Sequence, residues 1–310
     1  MAERPFVIPA ELARTAAEVQ GAAGLAWLDR LPATVAECAR RWSLAVGPPF
    51  ARLSYNYAAP AVRADGRAAV LKVFLPGGEF RAEAEALRLF DGRGAARLLA
   101  ADLDRGALLL ERLEPGTPLT EIADAAETAA IAAGVMRRLW RPAPPDHPFP
   151  SVADWVRGMA ERAPRLAAAG GPVPAGWLDE ALTLFAGLDA AGVEPVLLHG
   201  DLHPGNVLAA GREPWLAIDQ KGVVGELAAE PGALLLNLMP QVLAAPRPGR
   251  ALARLVDQLA AELGLDRERL QAWSVVRAVL ADFWAREDHG RGWEAALACA
   301  ELLAARGGGG

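Results

Sequence analysis

The sequence predicts an α+β protein of two lobes, a small lobe built on an antiparallel sheet followed by a larger, mostly helical one. Three observations predict it. Between residues 50 and 113, short β-prone runs flank a single helical stretch and are separated by turn signals. From Thr120 onward, helical patterning runs almost to the end of the chain. One β-rich island, residues 195–218, interrupts those helices, and an otherwise helical lobe has little structural need for it.

The elements follow in order. Residues 10–44 read as two helices, the second over Thr34–Trp42 with Thr34 as its N-cap. Ala51–Tyr57, Ala61–Arg63 and Ala69–Leu75 read as strands, with Asp65-Gly66 as a tight turn between the last two. A helix over Glu79–Phe90 stops before Gly92, and strands Ala95–Leu103 and Ala107–Leu113 follow, joined at Asp104–Gly106. Helices are expected at 120–140, 151–168, 177–191, 230–239, 249–263, 267–287 and 293–306. The island holds strands Pro195–Leu198, Val207–Ala209 and Trp215–Ile218. The expected division is residues 1–113 for the small lobe with its preceding helices, and 114–310 for the helical lobe.

Composition narrows the function classes. The chain has 310 residues, a net charge of -6, 53% hydrophobic and 23% charged residues, which is globular rather than disordered. An acidic balance lacks the basic footprint of a nucleic-acid protein and suits a small cationic ligand. Cys38 and Cys299 stand in no metal-type spacing and read as reduced, buried thiols. No apolar signal region and no uncharged apolar run of about 18 residues is present. The expectation is a cytoplasmic enzyme, monomer or homodimer, with no nucleic-acid or membrane partner.

The island carries the chemistry. It reads Leu197-Leu198-His199-Gly200-Asp201-Leu202-His203-Pro204-Gly205-Asn206-Val207-Leu208, followed by Ile218-Asp219-Gln220-Lys221-Gly222. Asp and Asn are common in ordinary turns. Here, however, apolar strands flank a Pro-Gly turn on both sides, and a hairpin would bring Asp219 beside Asp201 and Asn206. The set offers one carboxylate to take a proton and two oxygen ligands for a hard divalent cation such as Mg²⁺. Phosphoryl transfer needs these parts. No third His or Cys stands nearby to suggest zinc, so His199 and His203 read as braces of the loop.

The string His-Gly-Asp-Leu-His-Pro-Gly-Asn-Val-Leu followed by Ile-Asp-x-Lys-Gly resembles the aminoglycoside phosphotransferase family, which shares the protein-kinase fold. The closer resemblance is to its streptomycin 6-phosphotransferase and hydroxyurea-kinase branch. Val70-Leu71-Lys72-Val73, Glu83-Ala84-Glu85-Ala86-Leu87, Leu109–Thr117 and Glu287-Asp288-His289-Gly290 add to it. The resemblance implies a two-lobed kinase-like fold using ATP and Mg²⁺. It makes Asp201 the catalytic base, Asn206 and Asp219 the metal ligands, and Lys72 the contact to the α- and β-phosphates. Lys72 then needs a carboxylate partner on the next helix; Glu83 and Glu85 both qualify, and spacing to Leu87 and Gly92 favours Glu83. Leu110–Leu113 would link the lobes, with Glu111 and Leu113 meeting the adenine through their main chains. Ser54 and Asn56 are candidate phosphate donors, since the loop lacks Gly-x-Gly-x-x-Gly. Gln220 departs from the branch, where Pro is expected.

The implied activity is phosphorylation of a small hydroxyl-bearing molecule, foremost streptomycin or a related aminoglycoside. Metabolic kinases of a sugar, an amino alcohol or hydroxyurea are the alternatives. A non-catalytic nucleotide-binding regulator is disfavoured, because Lys72, Asp201, Asn206 and Asp219 are all present. Guanidinium groups of streptomycin would match carboxylates in forked pairs. Glu226, Glu230, Asp282, Glu287 and Asp288 are therefore substrate candidates beside Asp201. Trp155, Trp273, Trp284 and Trp293 read as core residues.

Overall fold

The computed structural model describes residues 6–51, 53, 55–77 and 79–305. The chain forms two compact units, Met1–Glu114 and Pro115–Gly310.

The first unit opens with α1 (Ala10–Arg41), then β1 (Leu44–Val46), β2 (Tyr57–Arg63), β3 (Ala68–Val73), α2 (Glu79–Phe90), β4 (Leu98–Asp102) and β5 (Ala107–Glu111). Its sheet has the order β1-β2-β3-β5-β4, every neighbour antiparallel. The two helices expected over 10–44 are one helical run broken at Gly21, whose φ of 51° lies in the left-handed region. Thr34 is no N-cap. It lies inside the run, and its hydroxyl donates to Arg30 O at 3.1 Å. The buried stripe Leu12, Ala16, Trp27, Leu31, Val35 and Cys38 packs on Tyr57, Leu71, Val73 and Ala107. Burying such side chains is worth about 1.5–3 kcal/mol each for the large ones, which holds a helix containing Pro32 against the sheet.

The described residues of the strand expected over Ala51–Tyr57 are not in a strand before Tyr57, where β2 begins, and Leu75 N–H donates to the side chain of Asn56 at 3.0 Å. The short β1 escaped sequence reading. The turn at Asp65-Gly66 is closed by Gly66 N–H on Arg63 O at 2.9 Å, with Gly66 at φ 80°.

The second unit holds β6 (Pro115–Pro118), α3 (Ala125–Leu139), β7 (Arg141–Pro142), α4 (Val152–Ala168), α5 (Ala175–Asp189), β8 (Val196–Leu198), β9 (Val207–Ala210), β10 (Trp215–Ala217), β11 (Val223–Gly225), α6 (Pro231–Asn237), α7 (Met239–Ala244), α8 (Pro248–Leu263), α9 (Arg267–His289) and α10 (Glu294–Ala304). The island's strands β8, β9 and β10 join β6, β7 and β11 in two small antiparallel sheets, β10-β9-β6 and β11-β8-β7. Helix α9 is the axis of this unit. Its residues from Leu270 to Phe283 are buried almost all round, and α4, α5, α6, α8 and α10 pack on it. Cys38 and Cys299 are free and buried; burial pushes their thiols up to about 11 and about 12, so both stay protonated. Among the described residues, no helix is long and apolar enough to cross a membrane.

Gly24 tests the packing within α1. A Cβ there would lie 1.9 Å from Ala16 O, a backbone atom that cannot swing away. Gly24→Ala is expected to destabilise the protein by about 1–3 kcal/mol in urea unfolding. Unchanged stability would show that the helix is not packed this way around its Gly21 break.

Candidate active site

Strand β8 is apolar and buried, and it delivers His199-Gly200-Asp201 to its end. A single 3₁₀ turn, Pro204–Asn206, then leads into β9. Three sets of bonds fix this loop. His199 is fully buried; its Nε2 lies 2.9 Å from Ile218 O, and its Nδ1 lies 3.2 Å from Asp201 N. A carbonyl only accepts and a backbone N–H only donates, so the ring is the neutral Nε2–H tautomer. Burial accordingly pushes its pKa down to about 4. His203 Nδ1 accepts from Gly205 N–H at 3.0 Å and caps the 3₁₀ turn. Both histidines thus brace the loop.

The third set comes from Glu230, just ahead of α6 and only 2% exposed. Its Oε2 accepts from His199 N–H at 2.7 Å and its Oε1 from Gly200 N–H at 3.0 Å. Burial raises its pKa to about 7, against the pull of the two N–H donors and of Arg277. Gly200 sits at φ 83°, and a Cβ there would meet Val223 Cγ1 at 2.6 Å, so no other residue fits.

Asp201 projects from this frame with its side chain 27% exposed. Its Oδ1 accepts from Arg277 Nη2 on α9 at 2.9 Å, and its Oδ2 lies 4.0 Å from His203 Nε2. Burial works to raise its pKa, but the Arg277 guanidinium, with His203 and Lys221, outweighs it and holds the carboxyl below its usual value. Asn206 Nδ2 donates to Asp201 O at 3.1 Å, so its Oδ1 is the amide end left for a cation. Val207 pairs with Ala217, and Ile218 N–H donates to Asn206 O at 2.9 Å, which sets Asp219 across the hairpin from Asn206. Asp219 has φ 63°, a left-handed conformation unusual for a non-glycine residue. Lys221 N–H closes the loop on His199 O at 2.8 Å. Gln220 is 1% exposed, with no hydrogen-bond partner for its Oε1 among the described residues.

Among the described residues, no group of three or more His, Cys, Asp or Glu is arranged to hold a metal. A closed protein cage is thus not what this donor set offers. One amide oxygen and one carboxylate suit a hard cation held mainly by phosphate and water.

In the first unit, Lys72 on β3 and Glu83 on α2 are buried together, with Nζ 2.8 Å and 2.7 Å from the two carboxylate oxygens. Lys72 Nζ also lies 4.5 Å from the centre of the Phe74 ring. Glu85, the other candidate, points away and binds Arg88 at 2.8 Å. Glu111 ends β5; its N–H already donates to Arg97 O at 2.8 Å and its carboxylate accepts from Arg97 N–H at 3.0 Å. That hydrogen bond withdraws the Glu111 N–H from any other acceptor. Leu113 is buried in the stretch after β5. Ser54 lies outside the described residues.

The acidic residues expected to meet a cationic substrate already have partners. Glu226 takes a forked pair from Arg269 at 2.6 Å twice and a bond from Trp273 Nε1 at 2.7 Å. Asp282, with no exposure, binds Arg286 at 2.7 Å and Trp293 N–H at 2.8 Å. Glu287 takes a forked pair from Arg162 at 2.8 and 3.2 Å. Glu230 holds the loop backbone, as described. Asp288 is half-buried at the end of α9. Trp155 and Trp284 meet edge to face at 5.4 Å, and Trp273 is buried, while Trp293 is partly exposed. Sequence reasoning missed Arg277. Its one signal was a charge inside the apolar run Val275-Val276-Arg277-Ala278-Val279-Leu280, which implies a buried partner.

His199 and Glu230 act oppositely on stability. His199 has a folded pKa near 4 against an ordinary 6.5, so its contribution is lost as pH falls through that window. Glu230 has a folded value near 7 against an ordinary 4.5, so its protonation favours the fold at low pH, and that contribution is lost as pH rises towards 7. Glu230→Gln leaves only the histidine effect and one mismatched N–H. The variant is expected to lose about 1–3 kcal/mol and to fall more steeply than the wild type between pH 6.5 and 4.5 in urea unfolding. Parallel stability curves would contradict the assignment.

Residues 48–289 match the family described as aminoglycoside/hydroxyurea antibiotic resistance kinase. A hydroxyurea phosphotransferase of Kitasatospora aureofaciens is 40% identical, over 97% of this chain and 87% of its own length. A streptomycin 6-kinase of Streptomyces glaucescens is 35% identical over 91% of each chain. Among solved structures, the choline kinase LicA of Streptococcus pneumoniae matches with a TM-score of 0.59 at 12% identity, covering 88% of this chain and 97% of that one. The aminoglycoside phosphotransferase APH(3'')-Id of Streptomyces rimosus, in complex with ADP and streptomycin, matches at 0.56 and 20% identity, covering 81% and 98%. At such identities these structures speak for the fold alone, which is the protein-kinase-like one. With the family match spanning most of the chain and relatives above one-third identity, this protein belongs to the aminoglycoside/hydroxyurea antibiotic resistance kinases.

Proposed function

We propose that the protein transfers the γ-phosphoryl group of ATP to a hydroxyl of a small antibiotic, with Mg²⁺ as its metal. The single observation that carries this reading is Asp201: a partly exposed carboxylate at the end of a rigidly bonded loop, with one oxygen engaged and the other available. In a loose phosphoryl transfer the attacking hydroxyl loses its proton late, so a weakly basic carboxylate that orients it suffices. Asp201 would accept that proton at Oδ2. Asn206 Oδ1 and the Asp219 carboxylate would hold the metal, which supplies charge neutralisation at the phosphates. Lys72, oriented by Glu83, would contact the α- and β-phosphates. Leu113 and Glu111 would border the adenine, with Glu111 limited to its carbonyl. Residues 1–113 would then serve the nucleotide and 114–310 the acceptor.

Hydroxyurea is the acceptor that the 40% identical relative and the internal pairing of Glu226, Glu230, Asp282 and Glu287 support. Streptomycin, to which the motif and the streptomycin 6-kinase relatives point, is the second reading.

Mg²⁺-dependent ADP release from ATP, run with streptomycin, other aminoglycosides, hydroxyurea and amino alcohols, tests the reading. Turnover on streptomycin or hydroxyurea is expected, reduced about 10²–10⁴-fold in Asp201→Asn. Turnover on amino alcohols alone would move the protein to metabolic kinase, and undiminished turnover in Asp201→Asn would remove Asp201 from the chemistry. Lys72→Met is expected to raise the KM for ATP and lower kcat. It also leaves Glu83 buried without its cation, at a stability cost of about 3–5 kcal/mol. Wild-type nucleotide kinetics in that variant would exclude Lys72 from the phosphate site.

A further inference from the structure

Arg277 is built into the site with unusual care for a residue that no sequence motif marks. Its side chain is 12% exposed. Its stem crosses α6 at Gly232, where a Cβ would lie 2.8 Å from Arg277 Cβ and 3.1 Å from its Cγ. Its guanidinium carbon sits 4.9 Å from the centre of the Trp284 ring, and Trp284 is buttressed by Trp155 at 5.4 Å. The head then reaches Asp201 Oδ1 at 2.9 Å. A glycine, a tryptophan and a carboxylate on separate segments thus converge on one guanidinium. An isolated surface ion pair needs none of this.

We propose that Arg277 is a positioning and specificity residue for phosphoryl transfer: by holding Asp201 Oδ1 it presents Oδ2 to the acceptor hydroxyl, and its charge beside that hydroxyl selects acceptors with no cationic group next to the reacting oxygen. The proposal rests on the phosphotransferase reading and names the acceptor class within it. An acceptor hydroxyl bonded to Oδ2 lies well within a Debye length, about 8 Å, of the guanidinium. A cation adjoining that hydroxyl meets a like charge, and like charges facing each other across a contact are a common means of rejecting a ligand. The carboxylate that would attract it is already paired. The other groups near Asp201 do not reverse this. His203 stands 4.0 Å from Oδ2, Lys221 is a further cation, and Glu230 is buried with both oxygens bonded to backbone N–H groups. Glu226, Asp282 and Glu287 carry their own arginine partners. Hydroxyurea is a small neutral acceptor; the streptidine ring of streptomycin carries guanidinium groups.

The test compares wild type, Arg277→Met and Arg277→Lys on hydroxyurea and streptomycin, with kcat and KM separated, and measures streptomycin binding by calorimetry. For Arg277→Met we expect kcat on hydroxyurea to fall at least about tenfold with little change in KM, because Oδ2 is no longer aimed. Streptomycin should bind about tenfold more tightly, a shift of about 1.4 kcal/mol. Arg277→Lys keeps the charge but not the stacked fork, so it should retain the wild-type preference for hydroxyurea over streptomycin while recovering part of the lost kcat. Unchanged streptomycin affinity and unchanged kcat in Arg277→Met would overturn the proposal. If Arg277→Met does not fold, Trp284→Leu, which unseats the guanidinium, must shift the same two quantities in the same directions, and failure to do so would overturn it equally. Wild-type protein that turns over neither acceptor would refute the phosphotransferase reading, while the calorimetric comparison would still decide the role of Arg277.

Discussion

The bond on which the helical unit's chemistry depends is the one between the Glu230 carboxylate and the backbone N–H groups of His199 and Gly200. Those two N–H groups lie where β8 ends and can no longer be met by a strand partner. A buried N–H left alone costs about 1–3 kcal/mol, and the carboxylate satisfies both at once. The bond also fixes the direction in which the chain leaves the strand, and with it the direction of Asp201. His199 completes the constraint from within the loop, since its neutral ring binds Ile218 O and Asp201 N. The Asp201 loop and the hairpin bearing Asp219 are thereby one hydrogen-bonded object.

Charge in this unit is used in pairs. Glu226 faces Arg269, Asp282 faces Arg286, Glu287 faces Arg162 and Asp201 faces Arg277. Three of those arginines lie on α9, the most buried helix of the unit, so its packing and the electrostatics near Asp201 are one problem. The net charge of -6 is therefore a poor guide to what the site attracts. The family relatives span both a cationic and a neutral acceptor by name.

The sequence was legible where function is written locally. The Asp201-to-Asn206 turn, the Asp219 hairpin and the succession of helices all depend on neighbours within a few residues, and periodicity and turn chemistry expose such relations. Lys72 and Glu83 were within reach because 11 residues separate a strand from the next helix. What stayed hidden acts at long range. Glu230 holds a loop 31 residues away, and Arg277 meets Asp201 across 76. Glu230 and Asp282, expected at the substrate, are buried with partners inside the protein, and such burial leaves no trace in a helical pattern. Strands β1 and β11 are three residues long and carry too little alternation to be read. Thr34 was expected as an N-cap, yet the buried stripe of α1 carries the helix through it.

The most direct measurement is a crystal structure of the protein with a non-hydrolysable ATP analogue, Mg²⁺ and an acceptor that it phosphorylates. The account predicts the acceptor hydroxyl within about 3 Å of Asp201 Oδ2, Arg277 still on Oδ1, and the metal on Asn206 and Asp219. An acceptor hydroxyl bound away from Asp201, or a metal held by other residues, would contradict it.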